Sequence, residues 1–343
     1  MKILNIAVTV IAVTVLLSGC FDASELENRG FVIALAIDKD SGNNFQITMT
    51  LADTSSESDK NGHSRLIKTG SGETLSFAIH NAELHTSQAL FLGHMKAVIL
   101  GGGLLEDDES IRKVLDALNR RHDVSKKTLI LSANGSACDL MKDETKEQPM
   151  LGIFLADFFK NMKNSGGRTF KLTLEEFTYD LNSGNCVLVP KIAIDGNEAI
   201  LGGAFALSGG NLTLDLDGND LMGRAWLTGE AKNAVVKADF NGTGISMTVE
   251  KSTAHIKRQK NSNKITCEIS VAGTVDGYKF GETISNSDTV FAVQNAFKQE
   301  IENEIQAFLR LLSQKKLNLP GLKNYETDLI DISVAVKINT DTQ

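Results

Sequence analysis

The stretch "KAVILGG" (residues 96–102) reads as a strand, and its neighbours decide the fold class. Upstream, from Glu73, the apolar residues Leu75, Ala78, Ile79, Ala82 and the later Leu90 suit a helix. Downstream, Ile111, Val114, Leu115 and Leu118 mark a second helix, and "KTLILSA" (127–133) a further strand. Strands separated by helices are joined by crossovers, and crossovers join parallel strands. This part of the chain is therefore expected to be α/β, with parallel pairing in its sheet.

Towards the N-terminus, "FVIALAI" (31–37) is a continuous apolar run ending at Asp38, as for a strand covered on both faces. "FQITMTL" (45–51) alternates Phe45, Ile47, Met49 and Leu51 with polar residues, the pattern of a half-covered strand, and "DKDSGNN" between the two supplies a hairpin. Residues 53–72 are polar and rich in Ser and Gly, and read as a loop. Towards the C-terminus, 136–142 and 150–163 look helical, and "SGNCVLVPKIAID" (183–195) returns to strand. The texture then becomes β-rich. Residues 198–220 read as two strands about a Ser-Gly-Gly turn, and 234–256 and 264–275 alternate, with Ile265, Cys267, Ile269 and Val271 on one face. A long helix over 288–316 carries the stripe Val293, Phe297, Ile301, Ile305, Phe308, Leu309 and Leu312, and "DLIDISVAVKIN" (328–339) closes as a strand.

The fold class expected is mixed α+β with two or three α/β subdomains, mixed or antiparallel sheets, and the long C-terminal helix packed on a sheet. The division expected is a leader over 1–19, an N-terminal α/β region over 20–190 and a C-terminal α/β domain over 191–343, with a further split near 245 left open.

The leader starts with Met1 and Lys2, and residues 3–17 (ILNIAVTVIAVTVLL) carry no charge. A spanning helix needs about 20 apolar residues and a signal-peptide core only about 7–15. Leu17-Ser18-Gly19-Cys20 then fits the bacterial lipobox, in which small residues open the bond before a lipid-modified cysteine. Cys20 is thus expected to be the first mature residue, its thiol carrying a diacylglyceryl group. At about 0.8 kcal/mol per buried CH2, two acyl chains hold a protein stably on a bilayer. The alternative, an uncleaved anchor helix, also tethers the chain outside the cytoplasm.

Cleavage leaves 343 − 19 = 324 residues and, with Lys2 gone, takes the formal charge from −8 to −9. That acidity argues against nucleic acid, and no Lys/Arg block reads as a polybasic lipid patch. Cys138, Cys186 and Cys267 remain, without any CxxC, and read as small buried apolar residues. Gly101-Gly102-Gly103 sits between strand and helix but lacks the phosphate-loop lysine and is followed by Glu106, Asp107, Asp108 and Glu109. "DLDGND" (215–220) hints at a calcium loop, yet its sixth and twelfth positions are Asp220 and Trp226; a turn and short helix is the better reading. His80 and His85 are five residues apart, about 500° of helical rotation, so they cannot form a helical metal pair. Glu175 and Glu176 read as solvated surface, and Trp226 as core. Neither a GxSxG nor a nucleophile with an adjacent base appears, so no catalytic residue, cofactor or metal is expected.

Several stretches, in order, resemble the C-subunit lipoproteins of spore germinant receptors, the Ger(x)C family. These are "GCFDASELENRGFVIALAIDKD", "ALFLGHMKAVILGGGLLEDD", "VPKIAIDGNEAILGGAFAL", "RAWLTGEAKNAV" and "QEIENEIQAFLRLLSQKK". Phe21 stands where the family has tryptophan, and the segment after the long helix, "LNLPGL" (317–322), is shortened. The resemblance implies a non-catalytic subunit of a nutrient receptor that triggers germination, lipid-anchored through Cys20 at the spore's inner membrane. Its implied partners are a membrane subunit with soluble domains and a multi-pass, transporter-like subunit. The competing reading is a lipid-anchored solute-binding protein of an importer, which would show two similar α/β lobes; an anchored hydrolase lacks its residues.

Overall fold

A run of apolar residues with alternating large and small side chains organises the first half of the chain. In strand β1 (Arg29–Lys39), Val32, Leu35 and Ile37 point to one face, and Ala34 and Ala36 to the other. Both faces are buried, as the unbroken apolar run requires. The computed structural model describes residues 29–52, 65–142, 150–161, 166–196, 198–258, 265–277, 287–318 and 330–339. The leader and Cys20 lie outside them.

Nine strands form the first sheet, in the order β3 (Arg65–Gly72), β2 (Phe45–Ala52), β1, β5 (Ala97–Leu100), β6 (Leu129–Ala133), β7 (Val187–Asp195), β8 (Glu198–Ser208) and β9 (Asn211–Leu216), with β4 (Ala89–Phe91) also on β1. The centre, β1-β5-β6-β7, is parallel and both flanks are antiparallel. Helices α1 (Leu75–Glu83), α2 (Asp108–Arg120) and α5 (Leu174–Asn182) bury their stripes on the large-residue face. Helices α3 (Ala137–Lys142) and α4 (Leu151–Lys160) cover the alanine face, where small side chains let them approach closely.

The second sheet has the order β10 (Val235–Phe240), β11 (Thr243–Arg258), β12 (Ile265–Asp276), β13 (Ile330–Asn339), antiparallel except for the parallel pair β12-β13. Helix α7 (Ser287–Gln314) lies between β12 and β13 in sequence and covers this sheet. Its stripe Val293, Phe297, Ile301, Ile305, Phe308, Leu309 and Leu312 is buried throughout. Ile265, Cys267, Ile269 and Val271 face it from β12. The architecture is mixed α+β, with mixed sheets and a long C-terminal helix on a sheet.

Three local expectations are corrected. Residues 65–72, expected as loop, are strand β3, which pairs with all of β2. Its glycines are there because α1 lies directly on the strand. A methyl group on Gly70 would stand 2.8 Å from the Ala82 nitrogen, and one on Gly72 2.8 Å from that of Ala78. Leu90, expected in the helix, belongs to β4, because α1 stops at Glu83 and the chain re-enters the sheet beside β1. Strand β2 is covered on both faces, not one: Thr48 and Thr50 are as buried as Ile47 and Met49, because α3 packs over β1 and β2.

Candidate functional site

Parallel sheets place ligands at the carboxyl ends of their strands, where loops leave the sheet and helices begin. Here those ends carry Asp38 and Lys39 as the last two residues of β1, the three glycines after β5, and Asn134-Gly135-Ser136 after β6. Asp38 accepts hydrogen bonds from the Ser136 hydroxyl (2.7 Å) and from the backbone N–H groups of Ala137 (3.0 Å) and Cys138 (2.8 Å). It thereby supplies the acceptor that the first turn of α3 needs. Lys39 pairs with Asp107, whose other contacts cap α2 through Glu109 N–H (3.1 Å), Ser110 N–H (3.4 Å) and the Ser110 hydroxyl (2.7 Å). The Lys39 ammonium, then the Ser110 hydroxyl, hold the Asp107 carboxyl well below the usual carboxylate range.

The triple glycine serves this packing. A methyl group on Gly101 would overlap the Asp38 carboxylate, and the N–H groups of Gly101 and Gly102 are taken by the carbonyls of Ile37 and Gly135, each at 2.9 Å. The crevice where such a fold holds a phosphate is thus filled by the protein's own caps.

The remaining candidates are also absorbed. In "DLDGND", Asp217 accepts from the N–H groups of Asn219 (2.7 Å) and Asp220 (2.8 Å), and Asp220 accepts from that of Asp217 (2.8 Å). These carboxylates close a turn into helix α6 (Asp220–Thr228). His80 lies 3.7 Å from Glu83 on α1, while His94 packs edge-on against Phe31 with ring centroids 5.1 Å apart. Among the described residues no group of three or more His, Cys, Asp and Glu is placed to hold a metal ion. Cys138, Cys186 and Cys267 are free and buried. Burial pushes their thiols up to about 12, 12 and 11, so none offers a thiolate at neutral pH. Cys138 lines a cleft of about 500 Å³ along β2, β3 and α1, whose polar groups include Thr69, Ser71, Asn81 and His85.

Trp226 is fully buried on α6, and its indole N–H donates to Glu304 of α7 at 2.5 Å. Burial raises the Glu304 carboxyl above its ordinary value, against the pull of that hydrogen bond. On the same helix Arg224 stacks over the Phe170 ring at 4.0 Å and pairs with Glu230 (2.6 Å). "RAWLTGE" therefore joins the second sheet's helix pair to the segment before α5. Glu176 is exposed, as expected, and is also half of a capping box. Its carboxylate accepts from Thr173 N–H (2.8 Å), and the Thr173 hydroxyl accepts from Glu176 N–H (3.3 Å). The spacing Thr-x-x-Glu was the available signal.

Comparison with known proteins identifies the family and the fold. Residues 22–194 match the spore germination protein N-terminal domain, and residues 202–340 the spore germination B3/GerAC-like C-terminal domain. Relatives in Bacillus subtilis (strain 168) include spore germination protein B3, 21% identical, with 94% of this chain and 86% of the relative covered. Spore germination protein KC is 20% identical over 92% of this chain and 85% of its own length. The crystal structure of the GerBC protein superposes with a TM-score of 0.56 at 18% identity, covering 89% of this chain and 96% of that one, and so shares the fold. The chain belongs to the Ger(x)C family of spore germination proteins.

Proposed function

We propose that this chain is a non-catalytic, lipid-anchored subunit of a nutrient germinant receptor. One observation carries the reading: the strand ends where an α/β protein would bind a ligand or run a reaction are occupied by Asp38, Lys39 and Asp107 as helix caps and an ion pair. What is left for function is surface and attachment. The names of the relatives place them in spore germination. Among the described residues no helix is long and apolar enough to cross a membrane, which suits attachment through a lipid on Cys20. Tethering confines the subunit to the plane of the membrane and raises its effective concentration beside its partners. Those partners are a membrane subunit with soluble domains and a multi-pass, transporter-like subunit, at the inner membrane of the spore.

A deletion strain tests the function. Loss of the gene is expected to slow or abolish nutrient-triggered germination while growth, spore formation and a non-nutrient trigger remain intact. Equal nutrient responses in mutant and wild type, with no related subunit able to substitute, would defeat the reading. Attachment is tested by fatty-acid labelling, which Cys20→Ala is expected to abolish; labelling equal to wild type removes Cys20 as the anchor.

A further inference from the structure

The opposite end of the parallel strands, where they begin, is built differently. There a pocket of about 380 Å³ is lined by Lys96, Lys127, Lys160 and Lys171, with Met95 and Phe159 as apolar floor and no carboxylate among its lining residues. Lys96 directly precedes β5, Lys127 lies two residues before β6, and Lys160 is the last residue of α4. Backbone hydrogen bonds fix their spacing: Lys96 N–H donates to Ile33 O (2.8 Å), Leu129 N–H to Lys96 O (2.9 Å), and Ile130 N–H to Leu172 O (2.9 Å), beside Lys171.

The chain carries 43 acidic against 35 basic residues, and Lys39, Lys113, Lys142, Lys191 and Lys257 are all paired with carboxylates. The four pocket lysines are exposed, and among the described residues they enter no ion pair. Four like charges held around one concavity repel one another, and an anion relieves that repulsion.

We propose that this pocket seats the phosphate of anionic phospholipid headgroups. The choice of lipid over a soluble anion follows from position and rests on the anchoring reading above. The register Ala34↔Ala97↔Leu129 sets the starts of β5 and β6 at the same end as Arg29, the first residue of β1. Arg29 is nine residues after Cys20, and nine residues reach about 30 Å at full extension. A lipid on Cys20 therefore holds this end of the sheet near the headgroups, where lysines are attracted within about a Debye length, ~10 Å at 0.1 M salt. The lipid anchor and the basic pocket then act as two signals on one edge and set the orientation of the subunit on the bilayer.

The test is lysine footprinting of the full chain in vesicles of phosphatidylcholine alone or of equal parts phosphatidylcholine and phosphatidylglycerol, using a water-soluble acylating reagent read by peptide mass spectrometry. A several-fold loss of labelling at Lys96, Lys127, Lys160 and Lys171 is expected in the anionic vesicles only. It should fade as salt is raised, while Lys232 and Lys237 of the second half stay unchanged. In a Lys127→Glu/Lys171→Glu double variant, which alters only exposed side chains, Lys96 and Lys160 are expected to label equally in both vesicles. Equal labelling of the wild type in both vesicles overturns the proposal. So does equal protection by inorganic phosphate without anionic lipid, or protection that appears only with other receptor subunits. Failure of the anchoring reading registers separately, as wild-type protein that incorporates no fatty acid. Labelling still decides the headgroup site then, because the apolar leader keeps the full chain with the vesicles.

Discussion

At the scale of single residues, the carboxylates of this acidic chain are put to structural use where the backbone lacks acceptors. Asp38 serves α3 from β1, two strands away in the sheet from the β6 that precedes α3, Glu176 closes a capping box, and Asp107 both caps α2 and pairs with Lys39. The last of these carries a pH signature. The Asp107 pKa is depressed in the folded chain from an ordinary 3.8, so the folded state favours the ionised form. Its stabilising contribution is complete above the unfolded value and is lost as pH falls below about 3.8 towards the folded value. Asp107→Asn keeps a capping oxygen but gives up the ionised partner of Lys39. Chemical denaturation across this range is expected to show the variant less stable than wild type at neutral pH, with the gap closing under acid. A gap that is constant with pH would assign the loss to packing instead.

At the scale of elements, the join between α6 and α7 is a tightly constrained contact in the second half. Gly223 faces α7, and a methyl group there would overlap the Phe308 side chain and stand 2.6 Å from the Glu304 carbonyl oxygen. Neither neighbour is a flexible tip. Gly223→Ala is therefore expected to destabilise by about 1–3 kcal/mol, the ordinary cost of overpacking, although alanine is the better helix former. An unchanged or raised denaturation midpoint would show that the helices can separate freely. Long periodic elements such as α7 and β12 were legible in the sequence, because burial of one face imposes the period directly. Elements whose composition answers to a neighbour were not. Strand β3 looks like a loop because its glycines answer to α1, and α5 begins at a Thr-x-x-Glu signal easily taken for surface charge. Thr48 and Thr50 obey the alternation of a half-exposed strand and are nevertheless buried, since the sequence of β2 does not encode the helix above it.

At the scale of the molecule, the same limit separates what the sequence announces from what the fold assembles. The proposed leader and Cys20 are contiguous in the sequence and can be read by eye, whereas the four pocket lysines are spread from 96 to 171 and meet only in the fold, through the parallel starts of β5 and β6, the end of α4 and the antiparallel bridge of Leu129 to Thr173. The two sheets are likewise one body by contact rather than by pattern. A continuous core runs from Val32 in β1 through Phe177, Phe205 and Trp226 to Ile305 and Val334. A methyl group on Gly167 would stand 2.6 Å from the Ala225 side chain, and Arg224 lies on Phe170, so the segment before α5 is pressed against α6. Chains of this length commonly unfold in stages, domain by domain. Here separating the halves would expose α6 and the fully buried Trp226 region together, which ties their stabilities. The single tryptophan reports on that join, while far-ultraviolet circular dichroism reports on the whole chain. The two signals are expected to lose structure at the same denaturant concentration in wild type. Arg224→Ala, which removes the contact with Phe170 and the pair with Glu230, is expected to move the tryptophan transition to lower denaturant. Two well-separated transitions in the wild type would show that the sheets unfold independently and that the shared core contributes little coupling.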